Sequence, residues 1–160
     1  YRGFQGASGE YVLDLSDELP KELAERFDVV FNHTTLEHIF DFKRAFENLC
    51  RMSRDAVVIV VPFAQAYHGT PDWGDYWRFT PEAIRKMFSD NGFETVYITH
   101  NENPNSGLYI FAVASRMPQK WLGKLPELKG REPAGDSIGN SRLRNILRAI
   151  LRSKERKNSR

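Results

Sequence analysis

Short apolar runs along the first 116 residues alternate with polar stretches and predict a series of strands. Residues 11–13 and 27–31 each predict a strand, the second of them buried. Residues 56–61 form an unbroken, largely β-branched run, which is typical of a strand covered on both faces. Residues 93–99 and 108–114 predict two more strands, and the join between them is too short for a helical crossover. We therefore expect these last two strands to form an antiparallel hairpin.

Helical patterns lie between these strands. Apolar residues recur at helical spacing in residues 39–52, and Asp41 supplies a carboxylate near the start, where it suits the helix dipole. The Thr-Pro-Glu of residues 80–82 predicts the start of another helix, and the Asn-Gly of residues 91–92 predicts its end. Residues 18–26 predict a polar helix. The pattern as a whole predicts an α/β sheet that ends in an antiparallel hairpin.

The last part of the chain follows a different pattern. Pro, Gly and charged residues break any periodicity after residue 117, which predicts a linker over residues 117–140. Residues 141–160 then predict a basic amphipathic helix, with arginines around a narrow apolar stripe. The stripe consists of Leu143, Ile146, Leu147, Ile150 and Leu151.

Composition and length agree with one domain and a tail. The chain has 160 residues, of which 41% are apolar and 12% aromatic, and this excludes disorder over most of its length. Its longest apolar run is far shorter than the ~20 residues that span a bilayer. The net charge of +2 hides an asymmetry, because residues 1–115 carry −7 and residues 116–160 carry +9. The acidic body and the basic tail therefore need separate explanations.

The compartment is indicated by two simpler features. Cys50 is the single cysteine, so no internal disulfide is possible and a reducing compartment is expected. We expect Cys50 to be a small core or partly exposed thiol. No signal peptide is visible, but the chain begins with Tyr1 instead of Met, which suggests that an N-terminal segment is missing. We expect a cytoplasmic protein.

The basic helix has several possible roles. It could contact an anionic membrane surface or a protein partner through residues 141–153, or it could touch nucleic acid. It could also be a solvated tail that packs weakly on the acidic body. The short stripe without aromatic residues favours this last role, and nucleic-acid binding is not expected.

The segment 27–39, Phe-Asp-Val-Val-Phe-Asn-His-Thr-Thr-Leu-Glu-His-Ile, resembles the FDVV…LEHI stretch of class I S-adenosylmethionine-dependent methyltransferases of type 11. Further resemblances follow in the correct order over residues 1–116. The resemblance implies a partial Rossmann-like methyltransferase sheet whose hairpin represents the sixth and seventh strands of that fold. It also implies S-adenosylmethionine as cofactor. The other matching segments are residues 11–20, 60–63, 67–69 and 75–82.

The chain departs from that family at its start. The family's first strand and its Gly-rich cofactor loop have no counterpart, so the chain resembles a fragment of the domain. Residues 1–5 align with the second strand, and Gln5 then stands where the family usually places an acid that binds the ribose hydroxyls. Because Gln has one acceptor where a carboxylate has two, weaker cofactor binding is expected.

Four further residues are implied as cofactor contacts by the resemblance. Asp14 and Leu15 would contact the adenine end, and Asn32 and His33 would line the methionine end. The alternatives are that Asp14 caps the helix after it, and that Asn32 and His33 form a polar turn that satisfies its own backbone.

The sequence contains three candidate metal ligands, Glu37, His38 and His68. In some RNA and quinone methyltransferases a Glu-His pair joins another His and a second Glu to hold a divalent ion. Thr34 stands here in place of that second Glu. We therefore expect no metal, with His38 packed behind the cofactor pocket and Glu37 facing solvent.

The segment 67–78 is the candidate acceptor site. Aromatic residues beside hydrogen-bonding groups suit a sugar or a planar ring, and the pKa of histidine suits a general base. We expect His68 and His38 to be catalytic. The alternative is a loop whose tryptophans plug the core edge, with Arg78 tied to Asp75. The expected acceptor contacts are Trp73, Asp75, Tyr76, Trp77 and Arg78.

Taken together, the resemblance implies an enzyme that transfers a methyl group from S-adenosylmethionine to an oxygen or nitrogen of a small molecule or glycan. The sulfonium is already activated, so positioning supplies most of the rate and the sequence identifies no universal catalytic residue. The alternative is an inactive methyltransferase remnant that acts as a binding or interaction module.

Overall fold

The computed structural model describes residues 6, 8–101 and 108–126. The predictions for residues 1–5, for the loop 102–107 and for the basic helix lie outside the described residues. The regular elements are the strands β1 (Phe27–His33), β2 (Ser53–Ala64), β3 (Glu94–His100) and β4 (Leu108–Ser115), and the helices α1 (Phe42–Met52) and α2 (Pro81–Asp90).

The four strands form one mixed sheet in the order β1-β2-β4-β3. β1 and β2 are parallel, as expected for two strands connected through a helix. β4 is antiparallel to both β2 and β3, which confirms the predicted terminal hairpin. β4 therefore lies between β2 and β3, and its start lies at the edge of the sheet where β1 and β2 end.

The two helices begin where the sequence predicts. The carboxylate of Asp41 accepts a hydrogen bond from the Arg44 N–H at 3.3 Å and caps α1. The hydroxyl of Thr80 caps α2 by accepting from the Ala83 N–H at 3.1 Å. α2 ends at the predicted turn, where Gly92 has a φ of +75°, a value that favours glycine.

The helices α1 and α2 pack side by side on one face of the sheet. The rings of Phe46 and Phe88, one from each helix, lie 4.9 Å apart above the sheet. Cys50 is buried in the same core, and this burial raises the pKa of its thiol to about 12. The residues of the sheet that are buried on this face include Val57, Ile59, Val61, Ile110, Ala112 and Ala114.

The opposite face of the sheet is partly open. Val58 and Val60 of β2 are half-buried, so the prediction that this strand is covered on both faces is wrong for the described part of the chain. The prediction of a buried strand at 27–31 is also only half right, because Val29 and Phe31 are 48% and 62% exposed. β1 is an edge strand, and no described strand pairs with its outer side.

Two predicted elements before β1 do not form. Residues 11–13 are not a strand, and Tyr11 and Val12 are more than half exposed. A strand needs a hydrogen-bonding partner, and the described residues contain none beside this segment. The predicted helix at 18–26 is reduced to a single 3₁₀ turn at Lys21–Leu23. It ends there because Ala24 is extended and Glu25 has a φ of +50°.

Regular structure continues beyond residue 116, where the domain was predicted to end. Residues Pro118–Trp121 form a 3₁₀ turn within the segment predicted as a linker. The remainder of that linker, from residue 127 onward, is outside the described part. None of the described helices has the length and apolar character needed to cross a membrane.

Candidate functional site

The turn after β1 is strained. Thr34 has a φ of +47°, a left-handed conformation that costs a β-branched residue about 1–2 kcal/mol. The Thr34 N–H donates to the Val60 carbonyl at 2.8 Å, and the Thr35 hydroxyl donates to the His33 carbonyl at 3.1 Å. These bonds hold the strained turn against the end of β2. Strain of this kind is often found at functional sites.

The next residues form a 3₁₀ turn, Leu36–His38, which places Glu37 inside the protein. Glu37 is 1% exposed, so the expectation that it faces solvent is wrong. Its carbonyl accepts from the Tyr76 and Trp77 N–H groups at 2.8 and 3.3 Å, and these bonds bring the loop after β2 over the turn. Neither carboxylate oxygen has a hydrogen-bond partner among the described residues. Burial raises the pKa of Glu37 above its ordinary value.

His38 and His68 meet above this carboxylate. The Nε2 atoms of the two rings are 3.3 Å apart. His38 Nδ1 lies 2.6 Å from the Gly74 carbonyl, and His68 Nδ1 lies 3.2 Å from the Asp75 carboxylate. Because both partners are acceptors, each Nδ1 carries the proton. Both histidines that were predicted to be catalytic therefore occur together, with a fixed tautomer.

Asp75 and Arg78 hold the loop that carries His68. Arg78 donates to both oxygens of Asp75, at 2.6 and 2.8 Å, and the side chain of Asp75 is 1% exposed. The hydrogen bonds from Arg78 hold the pKa of Asp75 well below its ordinary value. Arg78 also donates to the Gln65 and Ala66 carbonyls. The sequence alternative, in which Arg78 is tied to Asp75, is thus present in the structure.

The aromatic residues of the loop have different positions. Trp77 packs on Phe42 and donates its indole N–H to the Ile39 and Phe40 carbonyls, both at 3.1 Å, so this ring closes the core edge. Trp73 is 51% exposed and stacks on the His38 ring. Tyr76 is 50% exposed and meets the Phe40 ring edge-on. Trp73 and Tyr76 therefore present ring surface to solvent, whereas Trp77 serves mainly the core.

A cavity of about 460 Å³ opens between the turn after β1 and the loop after β2. It lies at the carboxyl ends of the two parallel strands, the edge where open α/β sheets bind ligands. The residues that line it are His33, Thr34, Glu37, His38, Gln65, His68 and Tyr109.

Some predicted cofactor contacts lie elsewhere. Asp14 and Leu15 do not line this cavity. The carboxylate of Asp14 accepts from the Ser16 N–H and hydroxyl, at 2.8 and 2.6 Å, and this lowers the pKa of Asp14. Leu15 packs against the core, and its carbonyl accepts from the buried Asn48 amide at 2.8 Å. Asp14 thus closes a turn, although the helix it was expected to cap is not there. Gln5 lies outside the described residues.

Two cavity residues, Gln65 and Tyr109, were not considered in the sequence analysis, and two more, Thr34 and Glu37, were not predicted as site residues. Gln65 directly follows β2, and Tyr109 lies near the start of β4. The predicted hairpin contained the necessary signal, because an antiparallel strand after β3 begins at the same edge where the parallel strands end. Burial, with the nearby charge of Glu37, raises the pKa of Tyr109.

Comparison with known proteins gives the class of fold. No family model and no curated protein sequence matches the chain. A solved structure of the 1,6-didemethyltoxoflavin N1-methyltransferase of Burkholderia thailandensis, with bound 1,6-didemethyltoxoflavin and S-adenosylhomocysteine, matches with a TM-score of 0.52. The identity is 17%, over 64% of this chain and 48% of that one. An S-adenosylmethionine-dependent methyltransferase from Methanosarcina mazei also has a TM-score of 0.52, at 16% identity over 66% of each chain.

These likenesses show that the chain has a partial class I methyltransferase fold, as the resemblance implied. The chain spans about half the length of the Burkholderia enzyme and about two thirds of the Methanosarcina protein.

Proposed function

We propose that this chain is part of an S-adenosylmethionine-dependent methyltransferase that methylates an oxygen or nitrogen of a small molecule or glycan. One observation carries the proposal. Within a class I methyltransferase fold, the described residues form a cavity at the carboxyl ends of β1 and β2 that is lined by residues with hydrogen-bonding side chains, and His33 and Thr34 of the strained turn form part of its wall.

The cofactor side of the cavity is the end of β1. His33 lines the cavity, whereas the neighbouring Asn32 does not. Asn32 is buried, and its amide oxygen has no partner in the described part of the chain. A buried acceptor without a partner is costly, so a donor group on a ligand would stabilise it. The ammonium of the methionine end of S-adenosylmethionine is such a donor, and this supports the predicted role of Asn32.

The acceptor side is the loop after β2. His68 has its Nδ1 proton held by Asp75, so the lone pair that can take a proton from a hydroxyl or amine is on its Nε2, which lies 3.3 Å from the Nε2 of His38. Trp73, which stacks on the His38 ring, and Tyr76 expose ring surface on the same loop, and this suits stacking on a planar ring or sugar. Methyl transfer from a sulfonium needs little beyond this positioning.

Calorimetric titration of the 160-residue chain with S-adenosylhomocysteine tests the proposal. We expect saturable binding to one site. His33→Ala should weaken it about tenfold, the equivalent of one good hydrogen bond. His100→Ala, on β3, is the matched control and should bind as the unchanged chain does. An absence of measurable binding would contradict the proposal.

A second function is favoured by the open face of β1. Val29 and Phe31 expose apolar side chains on an edge strand, and such a surface suits a protein partner. An inactive methyltransferase remnant that acts as an interaction module would use this face. It predicts no binding of S-adenosylhomocysteine, and self-association in sedimentation experiments that Phe31→Asp abolishes. A cytoplasmic location, and contact of residues 141–153 with a membrane or a protein, stay predictions.

A further inference from the structure

Three potential ligand atoms converge inside the cavity. One ligand atom from each of Glu37, His38 and His68 lies within 4.8 Å of the other two. The two histidine Nε2 atoms are 3.3 Å apart, and Oε1 of Glu37 is 3.9 Å from the Nε2 of His38. These residues come from the 3₁₀ turn after β1 and from the loop after β2, so the fold brings them together from distant parts of the sequence.

The tautomers of the two rings point their lone pairs at each other. Gly74 O and Asp75 Oδ2 are acceptors, so each histidine must donate from Nδ1. In neutral rings, both Nε2 atoms then carry a lone pair, and at 3.3 Å these lone pairs repel one another. A positive species between the two nitrogens, either a shared proton or a metal ion, would remove this repulsion.

Glu37 favours the metal ion. Its side chain is 1% exposed, and both of its oxygens lack a hydrogen-bond partner in the described structure. A proton shared between His38 and His68 would still leave this carboxylate without a donor. One cation in contact with all three groups would satisfy the two lone pairs and the carboxylate together.

We propose that Glu37, His38 and His68 bind one divalent transition-metal ion of the zinc type. Two imidazoles and one carboxylate suit zinc and its neighbours better than magnesium or calcium, which prefer oxygen ligands. Zinc–nitrogen bonds of about 2.0–2.1 Å in a tetrahedral site place the two nitrogens about 3.3–3.4 Å apart. The observed Nε2–Nε2 distance of 3.3 Å fits this geometry.

The surroundings of the three residues support this site. Ligating histidines generally donate their other ring N–H to a carboxylate or a carbonyl, which fixes the tautomer and the ring orientation. Asp75 does this for His68, and Gly74 does it for His38. Arg78 holds Asp75 in turn through two hydrogen bonds. The sequence analysis predicts no metal because Thr34 stands in place of a second acid, but three protein ligands are sufficient for a site with an open position.

The open position would face the cavity. An oxygen of an acceptor could bind there. Because a coordinated Nε2 cannot accept a proton, His68 would then not act as general base; the ion would lower the pKa of the bound hydroxyl, and its proton would pass to water. Metal binding itself does not depend on the proposed methyl transfer, and the two can be tested separately.

Zinc titration of the 160-residue chain tests the site. The chain is stripped with a chelator, freed of any histidine tag, and titrated calorimetrically with Zn²⁺ and separately with Mg²⁺. We expect one Zn²⁺ per chain, bound at least tenfold more tightly than Mg²⁺. Glu37→Gln and His68→Ala should each weaken zinc binding at least tenfold. His100→Ala, which removes a histidine outside the cluster, should leave it unchanged.

X-ray absorption on the zinc complex of the unchanged chain gives a test that needs no variant. Two imidazole ligands and one oxygen ligand, at about 2.0–2.2 Å, would support the site. Fewer than two imidazoles would overturn the proposal. Failure of the chain to bind one Zn²⁺, or equal binding by the Glu37 and His68 variants when both are folded by circular dichroism, would also overturn it.

Discussion

Two regions of the sheet differ in how completely their groups are satisfied. The hairpin region, which is α2 with β3 and β4, has a capped helix and a buried apolar face. The site region, which is residues 27–38 and 65–79, has a strained Thr34, an exposed Phe31 and a buried Glu37 whose carboxylate accepts no hydrogen bond from the described residues.

This difference indicates that the site region has been selected for function at some expense of stability. In the hairpin region the local rules of capping and packing agree with one another, and among the described residues only one buried side-chain oxygen there, Oγ1 of Thr95, lacks a hydrogen-bond partner. In the site region these rules are broken at neighbouring positions, and real proteins tend to break them at functional sites. A ligand could satisfy the groups that the fold itself leaves without partners.

The largest expected contrast is between two phenylalanines. Phe88 in the hairpin region is fully buried, and Phe88→Ala should lower the free energy of unfolding by about 3–5 kcal/mol. Phe31 in the site region is 62% exposed, and Phe31→Ala should cost less than about 1 kcal/mol. Urea denaturation of both variants measures this. If the two variants lost the same free energy of unfolding, Phe31 would have to be buried, and the exposed face of β1 would be covered in solution.

The ion pair of the site region is the next test. Asp75→Asn should cost about 2–3 kcal/mol, the low end for a broken buried pair, because Arg78 remains about a quarter exposed. Since the pKa of Asp75 is depressed in the folded chain, its contribution is full above its ordinary pKa of 3.8 and is lost as the pH falls below it. Unfolding free energies of both chains should therefore converge in acid. Arg78→Lys keeps the positive charge and should lose less stability than Asp75→Asn does. If Asp75→Asn were as stable as the unchanged chain at pH 7, the ion pair between Asp75 and Arg78 would not stabilise the fold.

The cap of α2 tests the regularity of the hairpin region. Thr80→Ala removes the acceptor for the Ala83 N–H and should lower stability by about 1 kcal/mol. Thr80→Ser keeps the hydroxyl and should restore most of that loss. Thermal unfolding measures both variants. If the two variants proved equally unstable, the hydroxyl would not be the stabilising group.

The smallest effect is expected at the strained turn, and it has the opposite sign. Thr34→Gly relieves a left-handed conformation but loses the hydrogen bond between the Thr34 hydroxyl and His33 Nδ1, so after the entropic cost of glycine it should raise stability by at most about 0.5 kcal/mol. Thr35→Gly, at a residue with negative φ, should lower stability instead. Thermal unfolding can compare the two variants. A loss of stability in Thr34→Gly would mean that the contacts of the threonine side chain stabilise the fold by more than the left-handed conformation destabilises it.

The sequence predicted the hairpin region well because its signals are local. Thr80 and Pro81 mark a helix start, Gly92 marks its end, and a short join between two apolar runs leaves an antiparallel hairpin as the natural result. The β-branched run of β2 likewise indicated a strand. It could not reveal that only one face is covered, because coverage depends on elements elsewhere in the chain.

The site region could be predicted only in part. The sequence pointed to His33, His38 and His68, which do line one cavity. It placed Glu37 in solvent, because no local pattern shows that a 3₁₀ turn directs this side chain inward. The strand expected at 11–13 failed for a related reason, since a strand depends on a partner that its own residues cannot specify.

The central claim is that the cavity in the site region binds the methyl donor. Amide shifts of the ¹⁵N-labelled 160-residue chain on titration with S-adenosylhomocysteine test it most directly. The account predicts saturable shifts at residues 32–38 and 65–68, with the amides of the hairpin region unchanged. No shifts, or shifts centred on α2 and β3, would contradict it.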